Sequence, residues 1–251
     1  MRGNSMSSFS LKMIAIISML IDHIGVVFIP YDSQLHIVFR SIGRLAFPIF
    51  VFLIVEGFHH THNIKKYLMR LGIFAFISEI PFDLAFYNAF YPRANLIEQI
   101  KAGEFATILS RMMQHQNVYF TLFLGLLLIT LINKVELKYS TEIMKSSVIN
   151  TIFSIGFCFV ASFLKTDYSF AGILLITAFY LFRGNKYLLA FSLLLVCGGV
   201  LGGINILATL SILFISLYNG KKGKDIKYFF YIFYPAHLLL LFVLNYFLFI
   251  S

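Results

Sequence analysis

From Met13 to Pro30 the chain is one apolar run that holds Asp22 and His23 side by side. A helix of this length reaches through most of the hydrocarbon of a bilayer, where backbone polar groups must be satisfied within the segment. A carboxylate at that depth costs roughly 2.5–3.5 kcal/mol on insertion scales. The run therefore demands partners from other helices, and the fold it requires is a bundle built around the Asp22–His23 pair.

The rest of the sequence supplies such helices. Apolar runs cover residues 11–30, 37–58, 70–90, 117–133, 146–164, 168–183, 187–200, 203–218 and 228–250, which reads as about nine spans. The glycine-rich stretch Cys197–Gly203 separates two short runs and reads alternatively as a break within one hairpin. Hydrophobic residues make up 59% of the chain and charged residues 12%, against about 25% charge in soluble domains. The expected fold class is all-α, a polytopic transmembrane helix bundle, with residues 1–251 forming a single domain. Arg2 and Lys12 precede the first run as in a signal peptide, but no small-residue cleavage site follows, so it reads as a retained span.

Net charge is +9. With the N-terminus in the cytoplasm, most basic residues fall on inner segments: Lys65, Lys66, Lys134, Lys138, Lys145, Arg183, Lys186, and Lys221 to Lys227. Arg40, Arg44, Arg93, Lys101, Arg111 and Lys165 remain outside. That bias is the positive-inside pattern of a multi-pass membrane protein. It accounts for the charge with the lipid bilayer as partner and without nucleic acid. Cys158 and Cys197 lie within apolar runs, where neither a disulfide framework nor a zinc site is supported. His59, His60 and His62 lack a completing carboxylate or cysteine, so no metal site is expected. Between the third and fourth runs, Phe105, Ile108, Leu109 and Met112 keep helical spacing, and Asn95 with Glu98 reads as a capping box. Residues 95–116 are expected to form an amphipathic helix at the outer interface, either a lid or a shield for the bundle rim.

Polar residues inside the spans narrow the function. Arg40 and Arg44 share one helix face, as do Glu79 and Asp83 around Pro81. Like charges repel unless opposite charges approach, so the simplest arrangement pairs the two sets. It predicts a network linking Asp22, Arg40 or Arg44, and Asp83. Such a network is either interhelical glue or a device that positions His23 or a substrate. His23 follows Asp22 by about 100° around the helix, so Asp22 faces the arginines and leaves His23 to a cavity. Imidazole titrates near neutral pH and serves there as a general base; packing is the alternative. His237 lies two residues beyond Pro235, whose missing donor frees a carbonyl. It lines the substrate path or is structural. Glu56 is expected to meet Lys65 or Lys66. The Tyr218–Lys224 loop is either a positive-inside anchor or a phosphate cradle.

Several segments together resemble the TraX family of membrane proteins: Leu11–Ala15 with Met19–Gly25, Gly43–Phe58, Lys66–Leu71, Ile77–Asp83, Tyr218–Gly223 and Lys227–Leu238. Their order and spacing agree over nearly the whole chain, and residues 91–116 are longer than the family pattern. TraX proteins are associated with conjugation and with acetylation of the F-type pilin N-terminus. They are similar to a wider group of membrane acyltransferases that use an intramembrane histidine. The resemblance implies acetyl transfer from cytoplasmic acetyl-CoA to an amine or hydroxyl of a pilin or a cell-surface glycan. His23 and Asp22 would be catalytic, and Arg40, Arg44, Glu79, Asp83 and His237 would position. Lys65, Lys66, Asn219, Lys221, Lys222 and Lys224 would dock the nucleotide end. Two other classes stand beside it. One is an ion- or proton-coupled transporter, for which buried charges are also needed. The other is an assembly factor of a conjugation or secretion complex.

Overall fold

A computed structural model describes residues 5–91 and 95–250; Arg2 and Arg93 lie outside the described residues. All regular structure among them is helical, with no strand. The long helices are α1 (Ser8–Phe28), α2 (Gln34–Gly43), α3 (Ala46–His60), α4 (Ile64–Phe90), α7 (Val118–Lys138), α8 (Ile143–Phe163), α9 (Ser169–Leu181) and α12 (Lys227–Asn245). Short helices α5 (Leu96–Lys101), α6 (Phe105–Met112), α10 (Lys186–Leu193) and α11 (Ser211–Ile215) connect them. Five segments are long and apolar enough to cross a membrane: Ser8–Phe28, Gln34–His60, Val118–Lys138, Ile143–Phe163 and Tyr228–Leu248. α4 has the length, but Lys65, Lys66, Arg70, Glu79 and Asp83 all fall within it.

Helix starts follow from the sequence. Ser7, Ser33, Asn63, Asn117 and Asn185 each precede a helix and accept a hydrogen bond from a first-turn amide. Asn95 caps α5 in the same way. The expected single helix over 95–116 is instead two short ones, because Gly103 turns the chain at φ 75° between α5 and α6. α5 and α6 pack on the C-terminal end of α4, where Leu96 and Ile108 bury against Tyr87. Tyr87 Oη donates to Gln99, and Arg111 donates to both.

α1 lies against α2, α3 and α12, and α4 packs between α12 and α7. Helix association in hydrocarbon rests on close packing. Leu11, Ala15, Leu126, Leu128, Ile129, Ile173 and Leu175 are fully enclosed. Gly25 allows α2 to come close: a Cβ there would sit 2.7 Å from Phe39 Cβ.

One end of the bundle gathers the N-terminus, the end of α3 and the loops after α9 and α11. Met6 N donates to Leu217 O, Ser8 N to Lys221 O and Phe9 N to Lys222 O. The 218–224 loop therefore caps α1 with its carbonyls. Glu56, buried at the end of α3, takes two hydrogen bonds from Arg183, at 2.6 and 3.2 Å. Lys65 and Lys66 are thus not its partners: Arg183 arrives from the α9–α10 loop with a fork that fits a carboxylate.

The glycine-rich stretch is a break between two short helices. A π-helical turn over Leu194–Val200 ends at Leu201, Gly202 has φ 66°, and a 3-10 helix runs over Gly203–Leu210. The break aims Asn205 inward.

Candidate functional site

Asp22 sits mid-bundle on α1 and holds both arginines. Arg40 Nη1 donates to Oδ2 at 2.6 Å and Arg44 Nη2 to Oδ1 at 2.9 Å. Arg44 is held further by Nε donating to Arg40 O and Nη1 donating to Asn205 Oδ1, both at 3.1 Å. The carboxylate is 10% exposed and the Arg44 side chain 11%. Two ion pairs and two neutral acceptors thus satisfy a desolvated cluster, as a buried charge requires. Gly43 is part of this fit, because a Cβ there would overlap the Asp22 carboxyl.

His23 leaves the other face of α1 and meets His237 of α12. His23 Nδ1 and His237 Nε2 are 2.7 Å apart, with the rings near-parallel at a centroid distance of 5.0 Å. His237 Nδ1 is 2.8 Å from Phe233 O. A carbonyl only accepts, so His237 carries its proton on Nδ1 and offers the Nε2 lone pair. With both rings neutral, His23 Nδ1 then donates to His237, and the His23 Nε2 lone pair is left over. Phe86 and Tyr234 stand edge-on to His23 at 4.9 and 6.2 Å and fix its plane. The arrangement is a base held in one tautomer by its neighbour.

Glu79 and Asp83 do not join the arginines, contrary to the expected network. Glu79 Oε2 accepts from the backbone N–H and the side-chain amide of Asn117, the cap of α7. Asp83 is buried with no hydrogen bond or ion pair among the described residues. Asp22 already satisfies both arginines from α1, and α4 faces α12 and α7 instead.

The expected nucleotide-docking residues share one end of the bundle, but the loop is not a cradle of free amides. Lys222 pairs with Asp225 at 2.7 Å. Asn219 Nδ2 donates to Ser5, and its Oδ1 accepts from Lys221 N. Lys65, Lys66, Lys221 and Lys224 are exposed. These residues suit a polyanion as point charges on a rim, without a backbone nest. Among the described residues no group of three His, Cys, Asp or Glu side chains could hold a metal.

Sequence reasoning missed the α8–α9 loop. Lys165, Tyr168 and Ser169 are non-glycine residues with φ 54°, 61° and 46°, each a strained left-handed conformation. Gln116 N donates to Lys165 O, Asp167 N donates to Gln116 O, and Thr121 Oγ1 donates to Asp167 O. The clamped loop carries Asp167 toward Arg44 and Asp22 and stacks Tyr168 on Phe47 at 3.7 Å. Asp167 keeps part of its surface accessible, but the protein around it strips water from the charged form and pushes its pKa up to about 6, against the pull of Arg44. No glycine or proline marks this loop. Asn205 had a signal: it is an amide in an apolar run, two residues beyond the glycine-rich stretch.

The family described as TraX protein matches residues 7–245. The chain is also 32% identical over 260 residues to "Probable fimbrial assembly protein FimC, serogroup H1" of Dichelobacter nodosus, covering 96% of each chain. No solved structure matches.

Proposed function

The chain belongs to the TraX family, and on that premise we propose that it is an integral-membrane acetyltransferase with His23 as its base. The observation that carries this reading is the His23–His237 contact at 2.7 Å, with His237 anchored on Phe233 O. It leaves the His23 Nε2 lone pair, at a defined place in the bundle, for an acceptor N–H or O–H. An amine or hydroxyl that gives its proton to Nε2 becomes the nucleophile toward a thioester carbonyl. The acetyl–sulfur bond breaks, and His23 returns the proton to the leaving thiolate. Acetyl-CoA as donor supplies the activated acetyl group. The exposed Lys65, Lys66, Lys221 and Lys224 at the basic end would hold its phosphates by charge. Asp22, Arg40 and Arg44 hold α1 against α2 and so keep His23 in register.

In this reading the basic end and N-terminus face the cytoplasm. The shorter segments 169–181, 186–200 and 203–215 then join α4 and the five long spans, giving about nine passes through a bacterial cytoplasmic membrane. The acceptor is a pilin or a cell-surface glycan. Membranes holding the protein, given labelled acetyl-CoA and acceptor, transfer label and release free CoA. A His23→Ala protein that is folded and still transfers at the full rate would sink the assignment.

A second reading is favoured by the name of the Dichelobacter nodosus relative: a fimbrial assembly factor without catalysis. It expects stable co-purification with pilus components and no loss of piliation in His23→Ala cells.

A further inference from the structure

Away from the histidines, α7, α8 and α9 enclose a groove of about 770 Å³. Its wall on α8 is a stripe of Ser147, Asn150, Thr151 and Ser154 at helical spacing. The opposite face of α8, with Val148, Ile152 and Phe159, is apolar and exposed, as suits contact with acyl chains.

The stripe is rich in hydrogen-bond acceptors. Thr151 and Ser154 spend their protons on the carbonyls of Ser147 and Asn150, and Thr177 across the groove spends its own on Ile173 O. Each hydroxyl oxygen keeps lone pairs toward the groove. Asn150 Oδ1 is enclosed and receives no hydrogen bond. Glu136, on the α7 side of the groove, takes a single hydrogen bond from Tyr180 Oη at 2.7 Å. An occupant that donates several hydrogen bonds suits this set, and Asn150 Oδ1 is its buried, unsatisfied member. The rim has the opposite character. At the α7–α8 turn, the Tyr139 ring holds the ammonium groups of Lys138 and Lys145 at 5.3 and 4.5 Å; Lys145 also pairs with Glu142 at 3.2 Å, so two lysines stand against one rim carboxylate. Toward the other end, Ile155, Phe170 and Leu174 line the groove with hydrocarbon.

Cations at the rim, acceptors behind them and an apolar channel beyond match one kind of molecule. We propose that this groove binds an anionic phospholipid with a polyol head, drawn from the leaflet at the basic end. The phosphate lies at Lys138 and Lys145, the head hydroxyls donate to Glu136 and to Asn150 Oδ1 once a turn of the amide brings that oxygen from its enclosed position to the groove, and an acyl chain runs between α8 and α9. Basic pockets between membrane helices are suited to anionic headgroups.

The test uses the full chain in detergent, stripped of lipid and titrated with phosphatidylglycerol, phosphatidic acid or phosphatidylcholine, with bound lipid read by native mass spectrometry. Phosphatidylglycerol binds tightest. Phosphatidic acid, which lacks the hydroxyls, binds about tenfold more weakly, and phosphatidylcholine stays at background. Asn150→Leu removes the preference for phosphatidylglycerol over phosphatidic acid but keeps phosphatidic acid binding, which also shows that the variant is folded. Lys138→Gln with Lys145→Gln weakens both anionic lipids. The proposal is overturned by equal retention of phosphatidylcholine, or by an Asn150→Leu protein that keeps the preference. A dimer cross-linked through Cys158 that excludes lipid would also overturn it, assigning the groove to a second copy.

Discussion

Asp22→Asn is the substitution that most directly probes what holds the first helices together. The change is nearly isosteric and removes one negative charge from between two guanidinium groups. Wild-type Asp22 takes hydrogen bonds at 2.6 and 2.9 Å, and its side chain is 10% exposed. Breaking a buried pair from one side costs about 3–5 kcal/mol, because the remaining charge stays desolvated. Two features move the figure to the lower end. Arg44 keeps Arg40 O and Asn205 Oδ1 as acceptors, and Arg40, at 28% exposure, recovers some solvation. The amide also turns an N–H toward one arginine, which subtracts from that relief. We expect a loss of about 3 kcal/mol. The measurement is reversible unfolding in mixed micelles with increasing SDS fraction, followed by tyrosine fluorescence, since the chain has fourteen Tyr and no Trp. Arg44→Met alone and with Asp22→Asn closes a double-mutant cycle, and the double variant should lose less than the sum of the singles. A loss below about 1 kcal/mol with additive singles is the behaviour of an exposed surface pair, and would refute the desolvated cluster.

The remaining predictions concern the neighbouring positions. Gly43→Ala places a methyl against the Asp22 carboxyl and should cost about 1–3 kcal/mol by overpacking; the same unfolding assay checks it, and a neutral result means that α1 and α2 separate freely. His237→Leu removes the acceptor that fixes the His23 tautomer. Under the proposed acetyl transfer it should lower kcat about 10²-fold by misplacing the base, with acceptor KM unchanged and an altered pH–rate profile; a change confined to KM counts against a positioning role. Asp167 binds its proton up to about pH 6 when folded, against a reference value of 3.8. Its contribution to stability is therefore complete below the lower value and is lost as pH rises through the upper one. Asp167→Asn should match wild type at about pH 4 and exceed it above about pH 6; parallel stability–pH curves would exclude burial as the cause.

Local reading of the sequence found the parts of the site whose partners lie close along the chain. Arg40 and Arg44 share a face by helical spacing, and Asp22 sits on the preceding helix, so a short loop brings all three together. The division between Asp22 and His23 also followed from the rotation per residue alone. The choice of acid was not legible, because two carboxylate sets were available to one pair of arginines, and only packing decides that α4 turns Glu79 toward Asn117. His23 and His237 are 214 residues apart. Both could be flagged as expensive in a membrane, but their contact depends on α12 returning to lie beside α1. The α8–α9 loop is the limiting case. Its left-handed residues are Lys165, Tyr168 and Ser169, side chains that disfavour that conformation by about 1–2 kcal/mol each. Local preference therefore points away from the backbone the loop adopts. What holds it is a set of hydrogen bonds from Gln116 and Thr121, some fifty residues earlier. A conformation maintained against its own residues from a distance leaves no local trace, and strain of that kind gathers where a side chain must be held in place. Here that side chain is Asp167, beside Arg44.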